Sequence, residues 1–230
     1  MIHYVNNDTR AGFNLALEQV VMRRTAEPAF WLWRNSRAII IGRNQDVVAE
    51  VDQAEASRCS VPVYRRASGG GAVYHDLGVC NFTVVLPEEA SAACALSSLV
   101  ALLECTGLTT SRNDVLVCGR KIAGTAQQIS DGRRLFHGCL LYDADLVMLA
   151  RLLTPPREKL RRHGVASVRS RVGNLRALLP APTRTADDFF AELRRRAALT
   201  FAGPAVPVPE KLLAEAETLS RTPAFNQIQS

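Results

Sequence analysis

The hydrophobic positions change period repeatedly along this 230-residue chain. In Phe13 to Arg24 (FNLALEQVVMRR), apolar residues at 13, 15, 17, 20 and 21 fall close to one face of a 3.6-residue repeat, which predicts an amphipathic helix. Asn14 or an earlier polar residue is available to cap it, and Pro28 limits its extension. Phe30 to Trp33 and Ala38 to Ile41 are apolar runs of strand length around the turn Arg34-Asn35-Ser36-Arg37. Val51 to Arg58 reads as a short helix, and Val61 to Tyr64 and Val79 to Leu86 as strands flanking a glycine-rich stretch. Ser91 to Cys105 is an alanine-rich helix. Val115 to Cys118 and Ile122 to Gln128 are strands around a turn at Gly119-Arg120, and Leu135 to Leu141 is another strand. Leu146 to Leu153 is a short helix stopped by Pro155-Pro156. Ala186 to Ala198 is an amphipathic helix with a basic end.

Many strands mixed with unevenly spaced helices, without regular βαβ alternation, predict an α+β domain. It is expected to occupy residues 1–199. In 200–230, the segment FAGPAVPVP predicts a proline-rich linker, and Glu210 to Leu219 a last short helix with too little chain for a second core. No internal repeat or long low-complexity segment interrupts this organisation.

Composition narrows the classes. Hydrophobic residues make up 47% of the chain, enough for a sizeable core. No apolar run approaches the ~18 residues of a membrane span, and MIHYVNNDTR lacks the basic and apolar regions of a signal peptide. The expectation is a cytoplasmic protein with no membrane partner. The six cysteines lack CxxC spacing, which argues against a zinc site or a disulfide framework. The net charge of +6 is carried almost wholly by arginine, the lysines being Lys121, Lys159 and Lys211 alone. Without an RRM-type motif or a zinc finger, this basicity does not point to nucleic acid. It fits an acidic protein partner or a nucleotide substrate.

Candidate chemistry centres on Arg65 to Asp76, RRASGGGAVYHD. Three glycines expose backbone amides and permit φ > 0 beside two arginines, a combination suited to a phosphate or carboxylate. A glycine-rich hairpin turn with a solvated arginine pair is the plainer reading. The stretch fits neither nucleotide fingerprint, GxGxxG before a helix or GxxxxGK[ST]. Lys121, in GRKIAGTA, is the one lysine among the first 158 residues, either a compact charge for chemistry or an exposed turn residue. Asn113 and Asp114 could orient a hydroxyl or hold a divalent cation, or form an Asx turn. His75 and His137 lack metal-ligand spacing. Arg169 and Arg171 would share a side of an extended segment. Cys118 is read as a buried strand residue in VLVC rather than an acyl-accepting nucleophile.

Taken in order, FNLALEQ, LWRNSRAIIIGRNQ, RRASGGGAVYHDLG, NF, RNDV, GRKIAGTAQ, FHGCLL and SVRSRVGNL resemble the lipoate–protein ligase family of the biotin/lipoate ligase superfamily, over roughly residues 1–195. The resemblance implies a catalytic domain of class II tRNA-synthetase-like fold, a mixed β-sheet flanked by helices. It implies conversion of lipoate and MgATP to lipoyl-AMP, then acyl transfer to a lysine of a lipoyl carrier domain. Such carriers occur in 2-oxoacid dehydrogenase E2 and the glycine-cleavage H protein. By resemblance Lys121 is the essential lysine. Arg66, Ser68, Gly69, Gly70, Gly71, Ala72, Val73 and His75 line the acyl and phosphate path, with Gly124, Thr125 and Ala126 beside the lysine. Asn113 and Asp114 lie near the adenylate, with Mg2+ near Asp114. His137 and Gly138 border the lipoyl pocket and Trp33 its apolar end. Ser167, Val168 and Arg169 belong to the adenylate-binding loop. The smaller C-terminal domain common in such ligases is not expected here, so an accessory domain is either absent or a separate accessory subunit. An ATP-independent octanoyl or lipoyl transferase working through Cys118 and a non-catalytic lipoate-binding subunit are the alternatives.

Overall fold

A computed structural model describes residues 1–91, 100, 102–103, 108–111, 113–154, 172–179, 184–200 and 204–228. Among these residues the strands divide between two sheets. In chain order they are β1 (Ile2–Val5), β2 (Ala29–Trp33), β3 (Ala38–Ile41), β4 (Val63–Arg65), β5 (Val73–His75), β6 (Val79–Pro87), β7 (Leu108–Ser111), β8 (Asp114–Val117), β9 (Arg120–Ser130), β10 (Arg133–Leu141) and β11 (Val206–Pro207). An eight-stranded mixed sheet has the order β11-β1-β2-β6-β10-β9-β8-β7, and a three-stranded sheet the order β4-β3-β5. The helices are α1 (Ala11–Arg24), α2 (Val47–Glu50), α3 (Gln53–Arg58), α4 (Leu146–Leu152), α5 (Ala186–Thr200) and α6 (Glu210–Ser220).

Period-two alternation assigns the two faces of the large sheet. Phe30, Leu32, Phe82, Phe136 and Leu140 point to one side, where they meet Phe189, Phe190 and Leu193 of α5. Trp31, Trp33, Val85 and Leu135 point to the other, against α1 and α6. Gly138 leaves no room for a side chain between its neighbours. A Cβ there would lie 2.6 Å from the Gly124 carbonyl oxygen and 2.7 Å from the Phe82 ring. Gly138→Ala is therefore expected to destabilise the fold by about 2 kcal/mol, the usual scale of overpacking. An unchanged urea midpoint would contradict this.

Several elements differ from the pattern-based expectation for identifiable reasons. α1 is buried on every side from Ala11 to Met22, including Asn14, Glu18 and Gln19, so it is a central helix rather than a surface one. Asn14 is not its cap. The cap position is Arg10, which makes no side-chain cap bond, and Asn14 sits inside the helix. The runs around Arg34 to Arg37 do not pair as a hairpin, because β2 and β3 enter different sheets. The helix expected from Val51 to Arg58 is α3, starting at Gln53, and a further short helix, α2, precedes it; the Asp46 and Asp52 side chains cap the two by accepting from Val48 N and Glu55 N. The expected Ser91 to Cys105 helix lies mostly outside the described residues.

Cys118 is not a buried strand residue. It is exposed, with φ +50° beside Gly119 at +74°, and these two residues form the turn between Val117 and Arg120. Positive φ at both central positions is the twist a two-residue hairpin requires, and the apolar run VLV ends where it begins. The same geometry recurs at Asp131 and Gly132 between β9 and β10.

Residues 204–228, in the stretch expected to hold a linker and a short helix, run back over the body. Tyr4 and Val5 pair in parallel with Val206 and Pro207. Val208 and Ala216 join the core beneath α1, and Phe225 is buried beside Ala11 and Leu15.

Candidate active site

The small sheet lies over the α1 face of the large one, and a cavity of about 120 Å³ is enclosed between them. Its floor is a row of paired residues. Trp33 on β2 pairs with Asn81 on β6, Asn81 with Cys139 on β10, Cys139 with Gly124 on β9, and Gly124 with Asp114 on β8. At roughly 4.8 Å per strand, Asn81 and Gly124 are about 10 Å apart. His75 closes the Trp33 end, its ring in T-shaped contact with the indole at 6.3 Å. Leu15 and Ile40 also line the cavity.

The opposite end is open and cationic. Lys121 Nζ lies 2.6 Å from Asp114 Oδ1, with about a third of each side chain exposed. The Lys121 ammonium stands close enough to Gly124 that a Cβ there would be 3.2 Å from it. Thr125 N and Oγ1 both donate to the Asn113 carbonyl oxygen, at 2.7 and 3.0 Å, which ties the β8 entry to β9. Asn113 itself is exposed and does not line the cavity. Gly70, Gly71, Ala72 and Val73 form one wall, Gly124, Thr125 and Ala126 another, and His137 and Gly138 contribute to the floor.

The glycine stretch is not a hairpin turn. β4 and β5 both pair with β3 and not with each other, so Arg66 to Ala72 cross from one side of β3 to the other. Only Gly70 of the three consecutive glycines has positive φ, +93°. Arg66 holds the crossing from beneath. Its guanidinium donates to the carbonyl oxygens of Gly69 (2.7 Å), Gly71 (2.8 Å) and Ile40 (3.2 Å) and to Ser68 Oγ (3.1 Å). Burial lowers its pKa from the ordinary arginine value. With Arg66 occupied by the backbone, the Gly70 and Gly71 amides and Lys121 remain for an anion at the mouth.

A second polar chain runs under the floor. His137 Nδ1 lies 2.8 Å from Glu18 Oε1, and Ser68 Oγ lies 2.7 Å from His137 Nε2. Thr83 Oγ1 donates to Glu18 Oε1 at 2.5 Å, and Trp33 Nε1 donates to Thr83 Oγ1 at 2.8 Å. Since the Glu18 carboxylate only accepts, Nδ1 carries the proton and Nε2 accepts from the serine hydroxyl. The Ser–His–Glu order resembles a hydrolase triad, but Ser68 is 2% exposed and lies outside the cavity wall. The chain's effect is positional: it joins the glycine crossing to the indole at the far end.

Sequence reasoning did not select Glu18, Asn35, Asn81 or Cys139 as site residues. For Asn81 the signal was a polar residue within the apolar run Val79 to Leu86, which is uncommon in a core unless it has a partner. Cys139 faces the cavity, and burial pushes its thiol pKa up, away from a thiolate nucleophile. Ser167, Val168 and Arg169 lie outside the described residues. Val172, which follows them, forms a bridge with Lys121, and Gly173 N donates to the Lys121 carbonyl oxygen at 3.0 Å.

His75 makes the fold acid-sensitive. Burial first, then the charges of Arg66 and His137, bring its pKa down to about 3. The unfolded chain takes up a proton near pH 6.5 that the folded chain refuses, so stability falls as pH drops from about 6.5 toward 3, by roughly 1.4 kcal/mol per unit. Burial and Arg194 lower the pKa of His3 as well, with the same sign. Urea unfolding at pH 7 and pH 5 should show a loss of about 2 kcal/mol attributable to His75. His75→Gln should remove that part of the difference, and an equal pH difference in the variant would refute the assignment.

The mixed sheet thus carries a largely apolar cavity that opens past Lys121 and a glycine-rich wall. The family model for the lipoyl protein ligase A/B catalytic domain matches residues 10–197, and the chain belongs to that family. Among curated proteins it is similar to a probable lipoate-protein ligase A of Mycoplasma pneumoniae, 35% identical over 180 residues. That match covers 73% of this chain and 53% of the relative, so the chain spans about half the relative's length. Among solved structures it is similar to one from a structural analysis of an archaeal lipoylation system, a bi-partite lipoate protein ligase and its E2 lipoyl domain from Thermoplasma acidophilum. The TM-score is 0.79 with 28% identity, covering 98% of this chain and 95% of that one. A putative lipoate protein ligase of T. acidophilum with bound lipoic acid matches with TM-score 0.77 and 25% identity, over 95% and 93% of the two chains. No helix among the described residues is long and apolar enough to cross a membrane.

Proposed function

We propose that this chain activates lipoate with ATP and passes the lipoyl group to a lysine of a lipoyl carrier domain. The observation that carries this reading is the cavity itself. Its closed end is an indole, and its open end, roughly 14 Å along the strand row, holds Lys121 between a glycine wall and Asp114. A lipoyl chain laid along the row would bring its carboxylate to the ammonium. A carboxylate oxygen attacks the α-phosphorus of ATP, the bond to the bridging oxygen breaks, and pyrophosphate leaves with the electron pair. Negative charge grows on the transferring phosphoryl group, and Lys121 with the Gly70 and Gly71 amides lowers that barrier. In the second step the carrier's neutral ε-amine attacks the acyl carbonyl. The C–O bond to AMP breaks, and the amine's proton passes to solvent.

Mg2+ would enter with the nucleotide. Asp114 supplies one carboxylate at the mouth, in keeping with a cation held mainly by substrate phosphates. Among the described residues no cluster of three metal-ligating side chains occurs. The carrier is read as an E2-type lipoyl domain because an E2 lipoyl domain belongs to the lipoylation system of the similar archaeal ligase. That ligase is bi-partite, which supports a separate accessory subunit here as well. The thioester alternative is disfavoured by Cys118, which lies on an exposed turn outside the cavity wall.

Intact mass spectrometry of a lipoyl domain incubated with the chain, lipoate and MgATP tests the reading. A gain of one lipoyl mass that requires ATP supports a self-sufficient ligase. A gain only from preformed lipoyl-AMP assigns activation to a partner subunit. No gain from either source brings the non-catalytic alternative forward.

A further inference from the structure

The motif Gly42-Arg43-Asn44-Gln45 lines no part of the cavity, yet it is built against the cavity wall. β3 runs the length of the cavity. Ala38 is level with His75 at the closed end and Ile40 with Val73, and the chain then leaves the strand toward the mouth. There Gly42 abuts the glycine crossing, since a Cβ on it would collide with the Gly70 carbonyl oxygen. Gly70 in turn faces β9, where a Cβ on it would lie 3.7 Å from the Ala126 methyl. Arg43 N donates to the Ser68 carbonyl oxygen at 2.8 Å. Arg65 holds this loop as Arg66 holds the crossing. Its guanidinium donates to the carbonyl oxygens of Gly42 (3.0 Å), Arg43 (3.2 Å) and Gln45 (2.6 Å), and Gln45 Oε1 accepts from Gly42 N at 2.8 Å. Two adjacent arginines thus fix two adjoining loops by their carbonyls. What the fixed loop displays is the Arg43 side chain, exposed and without a hydrogen bond or ion pair among the described residues.

An exposed arginine is ordinarily a solvated surface residue. The place of Arg43 gives it more to do, because adenylation leaves a highly charged product at this end. The acyl carboxylate attacks the α-phosphorus from within the cavity. In an in-line displacement the bond to the bridging oxygen breaks on the far side, so pyrophosphate departs outward with the electron pair. Lys121 stands at the phosphorus on the β9 side of the mouth, and Arg66 is taken up by the crossing. We infer that Arg43 is a further catalytic residue, which binds the β- and γ-phosphates of ATP and stabilises the charge that grows on the leaving pyrophosphate. The inference rests on the reading of the chain as an ATP-dependent ligase and adds the residue that receives the leaving group. A guanidinium suits a polyphosphate, whose oxygens accept two parallel N–H bonds. A loop already held by its backbone brings that charge to the mouth with little reorganisation.

Lipoyl-AMP contains no pyrophosphate, so two routes to a lipoylated carrier isolate the step. In Arg43→Gln, lipoylation from lipoate and MgATP is expected to fall about tenfold or more, while transfer from preformed lipoyl-AMP stays within about twofold of wild type. Arg43→Lys should recover part of the loss, keeping the charge without the fork. Isothermal titration reads the same contact without turnover, and it decides the matter where activation requires a partner subunit. The preference of the full chain for α,β-methylene-ATP over AMP should shrink about tenfold in Arg43→Gln, with the affinity for AMP unchanged. Equal losses by both routes, with that preference intact, would make Arg43 a docking residue for an acidic carrier and overturn the inference. An ATP route and a nucleotide preference that both match wild type would also overturn it. If wild type binds neither nucleotide, the ligase reading falls and takes the inference with it, an outcome distinct from the other two.

Discussion

Replacing Lys121 with alanine is expected to lower lipoylation of a carrier domain at least a hundredfold while leaving the fold intact. The side chain is about a third exposed and packs into no apolar cluster, so its loss opens no core cavity. What disappears is the charge at the cavity mouth. Removing one preorganised donor from a developing oxyanion typically costs 10²–10³-fold in rate. Lys121→Arg should not restore the activity, because a planar fork cannot occupy the position of a compact ammonium between Asp114 and Gly124. Pyrophosphate release in a single turnover, compared with transfer from preformed lipoyl-AMP, separates the two steps. Both should slow, since the same ammonium faces the phosphoryl group in one and the acyl carbonyl in the other. Unaltered rates in Lys121→Ala would remove the catalytic assignment.

Arg66 is expected to give the second-largest effect, by a different route. Its guanidinium binds three backbone carbonyl oxygens and a serine hydroxyl, and it is 7% exposed. Lysine keeps the charge but not the fork, so Arg66→Lys leaves buried carbonyls without donors. The cost is on the order of 3 kcal/mol, a fall of roughly 6–12 °C in the unfolding midpoint for a chain of this size. Activity should fall tenfold or more at a temperature where the variant remains folded, because the Gly70 and Gly71 amides lose their fixed aim. Calorimetry and carrier lipoylation, measured on the same preparation, check both parts. A variant with wild-type midpoint and activity would show that the crossing holds itself.

How far the sequence speaks depends on what each residue answers to. β3, β6 and β10 were legible because their apolar runs are set by local period and bounded by turn residues. Lys121 stood out by scarcity, as the one lysine among the first 158 residues of an arginine-rich chain. The fate of the polar residues of α1 was not legible. Helical period assigns Asn14, Glu18 and Gln19 to water, whereas tertiary contacts assign them to Asn35, His137 and Gln128. Each of those partners is at least 21 residues away in sequence, beyond the reach of any local pattern. Cys118 failed for the opposite reason. A local rule did apply there, the two-residue turn, but a cysteine with positive φ is rare enough that the apolar run before it seemed to continue. The strand row from Trp33 to Asp114 could not be read in advance because register is a property of pairs of strands.

The pairing of β1 with β11 has a consequence for how this protein is made. β1 is completed at its outer edge by β11, made about 200 residues later, and α1 lacks its cover until α6 has followed. At ~5–20 residues per second, synthesis leaves the nascent N-terminal half with an open edge and a bare apolar helix for roughly ten seconds or more. The closing contacts join residues about 200 apart, and that loop-closure cost is met late in folding. Chaperone capture during translation should therefore be strongest before the residues of α6 emerge, and stalled chains that end short of it should aggregate rather than bind acyl acids.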